Sequence, residues 1–206
     1  VHVTNGPALT KPADLVGILQ RMGEGDVLFI DEIHRLPSAV EEYLYPAMED
    51  YKVDVTLDAG MHARVVTIDL KPFTMVGATT RLGLLTGPMR GRFGIPLNLQ
   101  FYSPEELFVI LTANARQLNL PAEEQALREL SKRSRGTPRV ANRLLRRCRD
   151  FAAVEGKGKL TLAVAREALA LEGIDERGLD EQDRQFLRTI IEVYQGGPVG
   201  IEAVAA

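Results

Sequence analysis

The sequence predicts an α/β fold with a mainly parallel sheet, followed by an all-helical half. Three observations carry this expectation. The short apolar run 27–30 ends in two adjacent acids, Asp31 and Glu32, and reads as a strand buried on both faces. Strand-like and helix-like patterns alternate around it as far as residue 99, the order expected of a parallel sheet with crossover helices. From Tyr102 onward the apolar spacing is helical.

Residues 1–4 alternate like a strand, and Asn5-Gly6-Pro7 breaks the pattern. In 12–22, Leu15, Ile18, Leu19 and Met22 recur at helical spacing, with Gly23 and Gly25 ending the helix. After the acids, Ser38 and Glu41 read as a capping box. The helix they open has Val40, Tyr43, Leu44, Ala47 and Met48 on one side, and Pro46 should kink or restart it. Two alternating runs follow. Val53, Val55 and Leu57 face one way in the first; Val66, Ile68 and Leu70 do so in the second, with Val65 and Thr67 opposite. Joined through 58–62, they read as a β-hairpin, 52–70, that projects from the body with Met61 and His62 at an exposed tip. An ordinary edge hairpin and a docking surface for a partner both remain open. Residues 73–78 are expected as a second buried strand, ending in Thr79-Thr80-Arg81, and 95–99 as a third.

In the second half, Ser103, Pro104 and Glu106 supply a cap, a proline at the first helical position and a capping box. Leu107, Ile110, Leu111 and Leu118 line one face of that helix. A second helix is expected over 122–134. Gly136-Thr137-Pro138-Arg139 starts a third, with Val140, Leu144, Leu145, Cys148 and Phe151 on one face. Between Ser131 and Arg149 lie eight Lys or Arg and no acid, a pattern read mainly as a solvated helix face. Thr161 caps a fourth helix that ends at Gly173. A polar linker, 174–182, leads to a helix with Phe186, Leu187, Ile190 and Ile191.

The chain has 206 residues and a net charge of −3 from 25 basic and 28 acidic side chains. That balance gives no global reason to expect nucleic-acid binding, so any basic surface must be local. One cysteine, Cys148, excludes an intrachain disulfide and a cysteine-based zinc site, and fits a reducing cytoplasm. No run approaches the length needed to span a membrane, so no membrane partner is expected. The chain lacks an initiator Met and stops in Ala-Val-Ala-Ala, and is expected to be a piece of a longer protein.

Asp31 and Glu32 are the first candidates for chemistry. Acids at the C-terminal end of a buried parallel strand lie at the crevice where open α/β sheets bind ligands. One carboxylate can hold magnesium through its water shell, and its neighbour can deprotonate an attacking water. The same residues alone allow an acidic strand end that merely reaches solvent. Thr79 and Thr80 suit contact with a γ-phosphate or a turn cap equally.

Taken in order and spacing, FIDEIHR, EEYLYPAMEDY, GATTR, RGRFG, RSRGTPRVANRLLRRCRDF and GGPVG resemble the RuvB family, AAA+ ATPases that drive branch migration of Holliday junctions. The resemblance spans essentially the whole chain. It implies an AAA+ large subdomain over 1–101, a helical lid over 102–174 and the start of a winged-helix DNA-binding domain over 175–206. It implies ATP and Mg2+ as cofactors, with Asp31 holding the metal and Glu32 as the water-activating base. Thr79 and Thr80 together cover the sensor-1 position. Arg92 would be the arginine finger reaching a neighbouring subunit, and Arg139 the sensor-2 residue. Glu49, Asp50, Tyr51 and Tyr102 fall at nucleotide-contact positions. The implied partners are double-stranded DNA at a Holliday junction, the junction-binding protein RuvA through hairpin 52–70, the RuvC resolvase in a larger complex, and further copies of the chain in a homo-hexamer.

One departure matters. No GxxxxGK[ST] string occurs in the 206 residues, so the backbone cradle and lysine that hold phosphates are not among them. The expectation is a set of acid, sensor and finger residues inactive by itself. A clamp-loader-type subunit, whose finger motif reads Ser-Arg-Cys where this chain reads Gly-Arg-Phe, and a catalytically silent adaptor are the alternatives.

Overall fold

A computed structural model describes residues 1–56 and 64–205. The chain divides into two units, Val1–Leu97 and Asn98–Ala206.

The first unit is built on three parallel strands. β1 (His2–Asn5), β2 (Asp26–Asp31) and β5 (Phe73–Gly77) form a sheet in the order β1-β2-β5. The crossover from β1 runs through α1 (Pro12–Leu19), and β2 is followed by α2 (Ser38–Glu49). Leu28 and Ile30 of β2 are fully buried, in one cluster with Leu15 and Leu19 of α1 and Val40 and Leu44 of α2. Burying such a side chain stabilises by roughly 1.5–3 kcal/mol. The expectation of burial on both faces is corrected. Phe29 is half-buried, while its register partners Val3 and Val76 are 74% and 42% exposed. The helices take the Leu28–Ile30 face and leave the other open.

α2 starts differently from the expected capping box. Pro37 is the cap residue and makes no side-chain bond, Ser38 is already helical, and Glu41 turns inward. Pro46 lies inside a helix that runs unbroken to Glu49 and so does not restart it. Next come β3 (Lys52–Thr56) and β4 (Val65–Asp69), an antiparallel pair with Val53 opposite Ile68 and Val55 opposite Val66. Val53 is fully buried and Val65 is 63% exposed, the facing that the alternation requires, but Val66, expected on the inner face, is 41% exposed. The Leu70 amide donates to the Tyr51 carbonyl at 2.7 Å, closing the base of the hairpin. Its expected tip, Met61 and His62, lies outside the described residues. After β5, α3 (Gly87–Arg92) is capped by Thr86, whose hydroxyl accepts from the Met89 amide.

The expected strand at 95–99 is not formed. Ile95, Leu97 and Leu99 are 79%, 82% and 96% exposed, and no regular structure spans them. A strand needs a ladder partner for its backbone groups, and none lies beside this segment among the described residues.

The second unit is helical: α4 (Pro104–Gln117), α5 (Glu124–Arg133), α6 (Pro138–Val154) and α7 (Leu162–Leu171) enclose Leu107, Leu111, Leu130, Leu144, Leu145 and Leu169. The capping box at α4 forms as expected: the Ser103 amide donates to Glu106 at 2.8 Å and the Glu106 amide donates back to the Ser103 hydroxyl. The basic run is mostly solvent-facing, with one exception. Arg133 is 8% exposed and pairs with Glu129, while its other arm donates to the Ile174 carbonyl. Burial pushes the Cys148 thiol up to about 12, which leaves it a core residue and not a nucleophile. α8 (Glu181–Arg188) opens on an Asp180–Asp183 capping box and continues as a π turn, Thr189–Val193; α9 (Ile201–Ala205) follows. Among the described residues no helix is long and apolar enough to cross a membrane.

Candidate functional site

The strands of the first unit end level with one another. Asn5 pairs with Asp31 and Ile30 with Gly77, so β1, β2 and β5 deliver their C-terminal ends to one edge. The strand ends are clasped beyond the ladder. The Ala78 amide donates to the Ile30 carbonyl at 2.9 Å, and the Ala78 carbonyl accepts from the Ile33 amide at 3.0 Å. Between these bonds the chain must reverse, and Glu32 does so in the left-handed region at φ 50° and ψ 41°, which costs a non-glycine residue roughly 1–2 kcal/mol. Gly6 makes room for that turn. A Cβ on it would lie 2.5 Å from the Glu32 carbonyl oxygen. Asp31 is exposed, with one carboxylate oxygen accepting from the Glu32 amide at 2.9 Å.

Two further side chains meet Glu32. The His34 ring, 5% exposed, places Nε2 3.4 Å from Glu32 Oε2 and Nδ1 2.8 Å from Thr79 Oγ1. The Thr79 hydroxyl also accepts from the Arg81 amide at 3.0 Å. Thr80, next along, is exposed and its hydroxyl has no hydrogen bond among the described residues. The structure thus brings Asp31, Glu32, Thr79 and Thr80 to one sheet edge, and separates the two threonines by what their hydroxyls do.

Arg92, Glu49, Asp50 and Tyr51 lie elsewhere in the unit. The Arg92 guanidinium lies 4.1 Å over the Tyr45 ring, donates to the Pro88 carbonyl at 2.9 Å and pairs with Glu49. Tyr45 in turn donates to the buried Glu41 carboxylate, which also accepts from Thr86. Glu49 ends α2, Asp50 is exposed, and the Tyr51 ring packs edge-on against Phe73 at 5.9 Å. Phe73 opens β5, so this cluster borders the start of a strand whose far end, roughly 13 Å on, reaches the Asp31–Glu32 edge.

In the second unit Tyr102 and the loop before Arg139 are neighbours. The Tyr102 amide donates to the Gly136 carbonyl at 2.9 Å, and Gly136, at φ 70°, is packed so closely that a Cβ would meet Phe101 Cβ at 2.7 Å. Arg139 is exposed at the start of α6 and lines an open groove of about 510 Å³ with Arg143, Arg146 and Arg147.

Reading the sequence alone missed Gly6, His34 and Glu41. Gly6 was legible only as a strand breaker. His34 stands inside the FIDEIHR string, but spacing does not say where its ring points. Glu41 read as a cap, whereas it accepts two side-chain hydroxyls in the interior.

A parallel sheet whose central strand ends at Asp31 with Glu32 next, followed by a helical bundle, is the layout of the AAA+ fold class. The comparisons narrow this. Residues 1–99 match the Holliday junction DNA helicase RuvB P-loop domain, 102–175 the RuvB AAA lid domain and 176–206 the RuvB C-terminal winged helix domain. The chain belongs to the RuvB family. It is 56% identical over 206 residues to the Holliday junction branch migration complex subunit RuvB of Myxococcus xanthus, and 53% identical to that of Kosmotoga olearia. It covers 60% of each of these curated relatives. The solved Thermotoga maritima RuvB branch migration motor superposes with a TM-score of 0.85 at 48% identity, over 99% of this chain and 63% of that one. A variant of the same protein gives 0.87 at 48% identity, over 99% and 64%. Family membership removes the clamp-loader alternative.

The close approach at Gly6 is testable by stability. Gly6→Ala forces the Glu32 peptide to shift and should cost about 1–3 kcal/mol in urea unfolding. Gly17→Ala, where a Cβ meets nothing within 4 Å, should instead stabilise by roughly 0.5–1 kcal/mol. A Gly6→Ala chain as stable as the parent contradicts the packing described.

Proposed function

We propose that the chain works as part of an ATP-driven ring motor that drives branch migration of Holliday junctions in DNA recombination and repair. The carrying observation is Asp31 and Glu32 at the C-terminal end of β2, level with the ends of β1 and β5, in a chain of this family. That edge is where open α/β sheets bind ligands.

Asp31 suits a magnesium ion held through its water shell, since its second carboxylate oxygen has no protein partner among the described residues. The ion would offset the negative charge of the phosphates. Glu32 takes a proton from the attacking water as the new O–P bond forms at the γ-phosphorus and the bond to the leaving ADP oxygen breaks. Thr80, whose hydroxyl is uncommitted, contacts the γ-phosphate, while Thr79 is engaged by His34. Arg92 serves as a finger for the neighbouring subunit's nucleotide. Its place with Glu49 beside the start of β5 supports a site in trans. Glu49, Asp50 and Tyr51 would then meet the same neighbouring nucleotide. Tyr102 and Arg139 contribute from the lid, Arg139 as sensor 2. The phosphate cradle is not in the 206 residues, which on their own should hydrolyse no ATP.

The motor is proposed to be a homo-hexamer acting on double-stranded DNA in the cytoplasm, with RuvA docked on hairpin 52–70 and the RuvC resolvase in the larger complex. The outward valine of β4 supports the docking role.

Mixing two inactive full-length variants tests the shared site. Arg92→Ala and Glu32→Gln should each bind ATP, and loss of a finger should cost about 10³–10⁵ in rate. Mixed at varying ratio and fixed total protein, they should give a humped ATPase curve, because some interfaces join an intact finger to an intact base. A flat line near zero, with mixed rings confirmed, contradicts a finger in trans. For the hairpin, Val65→Asp should weaken RuvA binding in a calorimetric titration and leave basal ATPase intact. Unchanged affinity would support an ordinary edge hairpin.

A further inference from the structure

His34 is buried, yet both of its ring nitrogens face side chains of the candidate site. A buried imidazole needs a partner at each nitrogen, and an ordinary core histidine finds them in nearby backbone groups or water. This ring instead bridges two strand exits: Thr79 follows β5, and Glu32 follows β2.

The hydrogen bonds have a direction. The Arg81 amide can only donate, so it occupies a lone pair of Thr79 Oγ1. The Thr79 hydroxyl can still donate to or accept from His34 Nδ1 at 2.8 Å, and the Glu32 carboxylate beside Nε2, which can only accept, favours the proton on Nε2 and donation by Thr79 to Nδ1. With Nδ1 an acceptor, the neutral ring carries its proton on Nε2, the nitrogen that lies 3.4 Å from Glu32 Oε2, near enough for a small movement of the carboxylate to close a hydrogen bond. The other Glu32 oxygen has no protein partner among the described residues and stays available to water. The Glu32 backbone is held in its left-handed turn by the clasp on either side. His34 is thus placed beside the one part of Glu32 the backbone does not fix, the direction of its carboxylate.

We propose that His34 is a positioning residue: held by Thr79 in its Nε2–H tautomer, it orients the Glu32 carboxylate toward the attacking water. This rests on the reading of Glu32 as the base. It also links the end of β5 to that base, so a shift of the Thr79–Thr80 segment when a γ-phosphate binds or leaves is passed to Glu32 through one rigid ring.

The test uses the full-length protein for kinetics and the 206-residue chain for spectroscopy. His34→Ala should lower kcat about tenfold to a hundredfold, the loss expected from misplacing a catalytic group by an ångström, with ATP affinity unchanged. In a Glu32→Gln background the same substitution should add no further loss, because its target is already gone. Imidazole ¹⁵N shifts of the unsubstituted chain should report the Nε2–H tautomer, and Thr79→Val should abolish that bias. The proposal is overturned if His34→Ala turns over at the parent rate. It is equally overturned if its loss simply adds to that of Glu32→Gln, or if the unsubstituted ring is protonated on Nδ1. The last measurement stands even where His34→Ala fails to fold. If Glu32→Gln itself retains full activity, the reading of Glu32 as base fails, an outcome distinct from the failure of His34 alone.

Discussion

The first unit depends on the double bond between Ala78 and the exit of β2. Its amide gives to Ile30 and its carbonyl takes from Ile33, so the two strands stay joined while β2 turns back on itself. Everything at the sheet edge follows from this. Only two residues separate the bonded groups Ile30 and Ile33, and the chain reverses between them with Glu32 left-handed. The carbonyl that swings out there has to rest on a glycine, Gly6, because no Cβ fits beneath it. Thr79, the next residue after Ala78, then falls within reach of His34, the next after Ile33. A backbone clasp of ordinary hydrogen bonds thereby sets where Glu32, His34 and Thr79 stand.

Different physics organises the two units. The helical one closes its core with its own leucines and caps its helices with its own side chains, as at Ser103, Thr161 and Asp180. The sheet unit does not close. Among the described residues, Val3 and Val76 are exposed on one face, β5 pairs on one side only, and the apolar alternation at 95–99 forms no ladder. The same sequence pattern that makes a strand where a partner exists makes an extended, solvated segment where none does.

This explains what was legible in the sequence. Helices with local signals were read closely: the capping box at Ser103–Glu106, the Thr161 cap and the proline start of α6 depend on residues three or four apart. The alternation of the hairpin separated the buried Val53 from the outward Val65 but did not foresee that Val66, on the same face as Val53, is 41% exposed. Asp31 and Glu32 stood out as acids ending an apolar run, a pattern that by itself equally allowed acids merely reaching solvent, and the sheet edge on which they lie is set by the pairing of β2 with β1 and β5. The misreadings concern long-range facts. Ser38–Glu41 has the spacing of a cap, but Glu41 finds Tyr45 and Thr86, the latter 45 residues away, in the interior. The basic run hid Arg133 because one partner, Glu129, lies four residues back on the same helix outside the run, and the other, the Ile174 carbonyl, is set by how α5 meets the chain after α7. His34 and Gly6 act through neighbours on other strands, which no local pattern encodes.

The central claim is that the strand-end clasp preorganises the acid edge within these residues, before any nucleotide arrives. Native-state hydrogen exchange on the 206-residue chain tests it directly. The amides of Ile33 and Ala78 should exchange as slowly as those of β2, through the opening of the whole first unit. If both instead exchange like exposed loop amides while β2 stays protected, the clasp does not hold the site and the geometry derived from it falls.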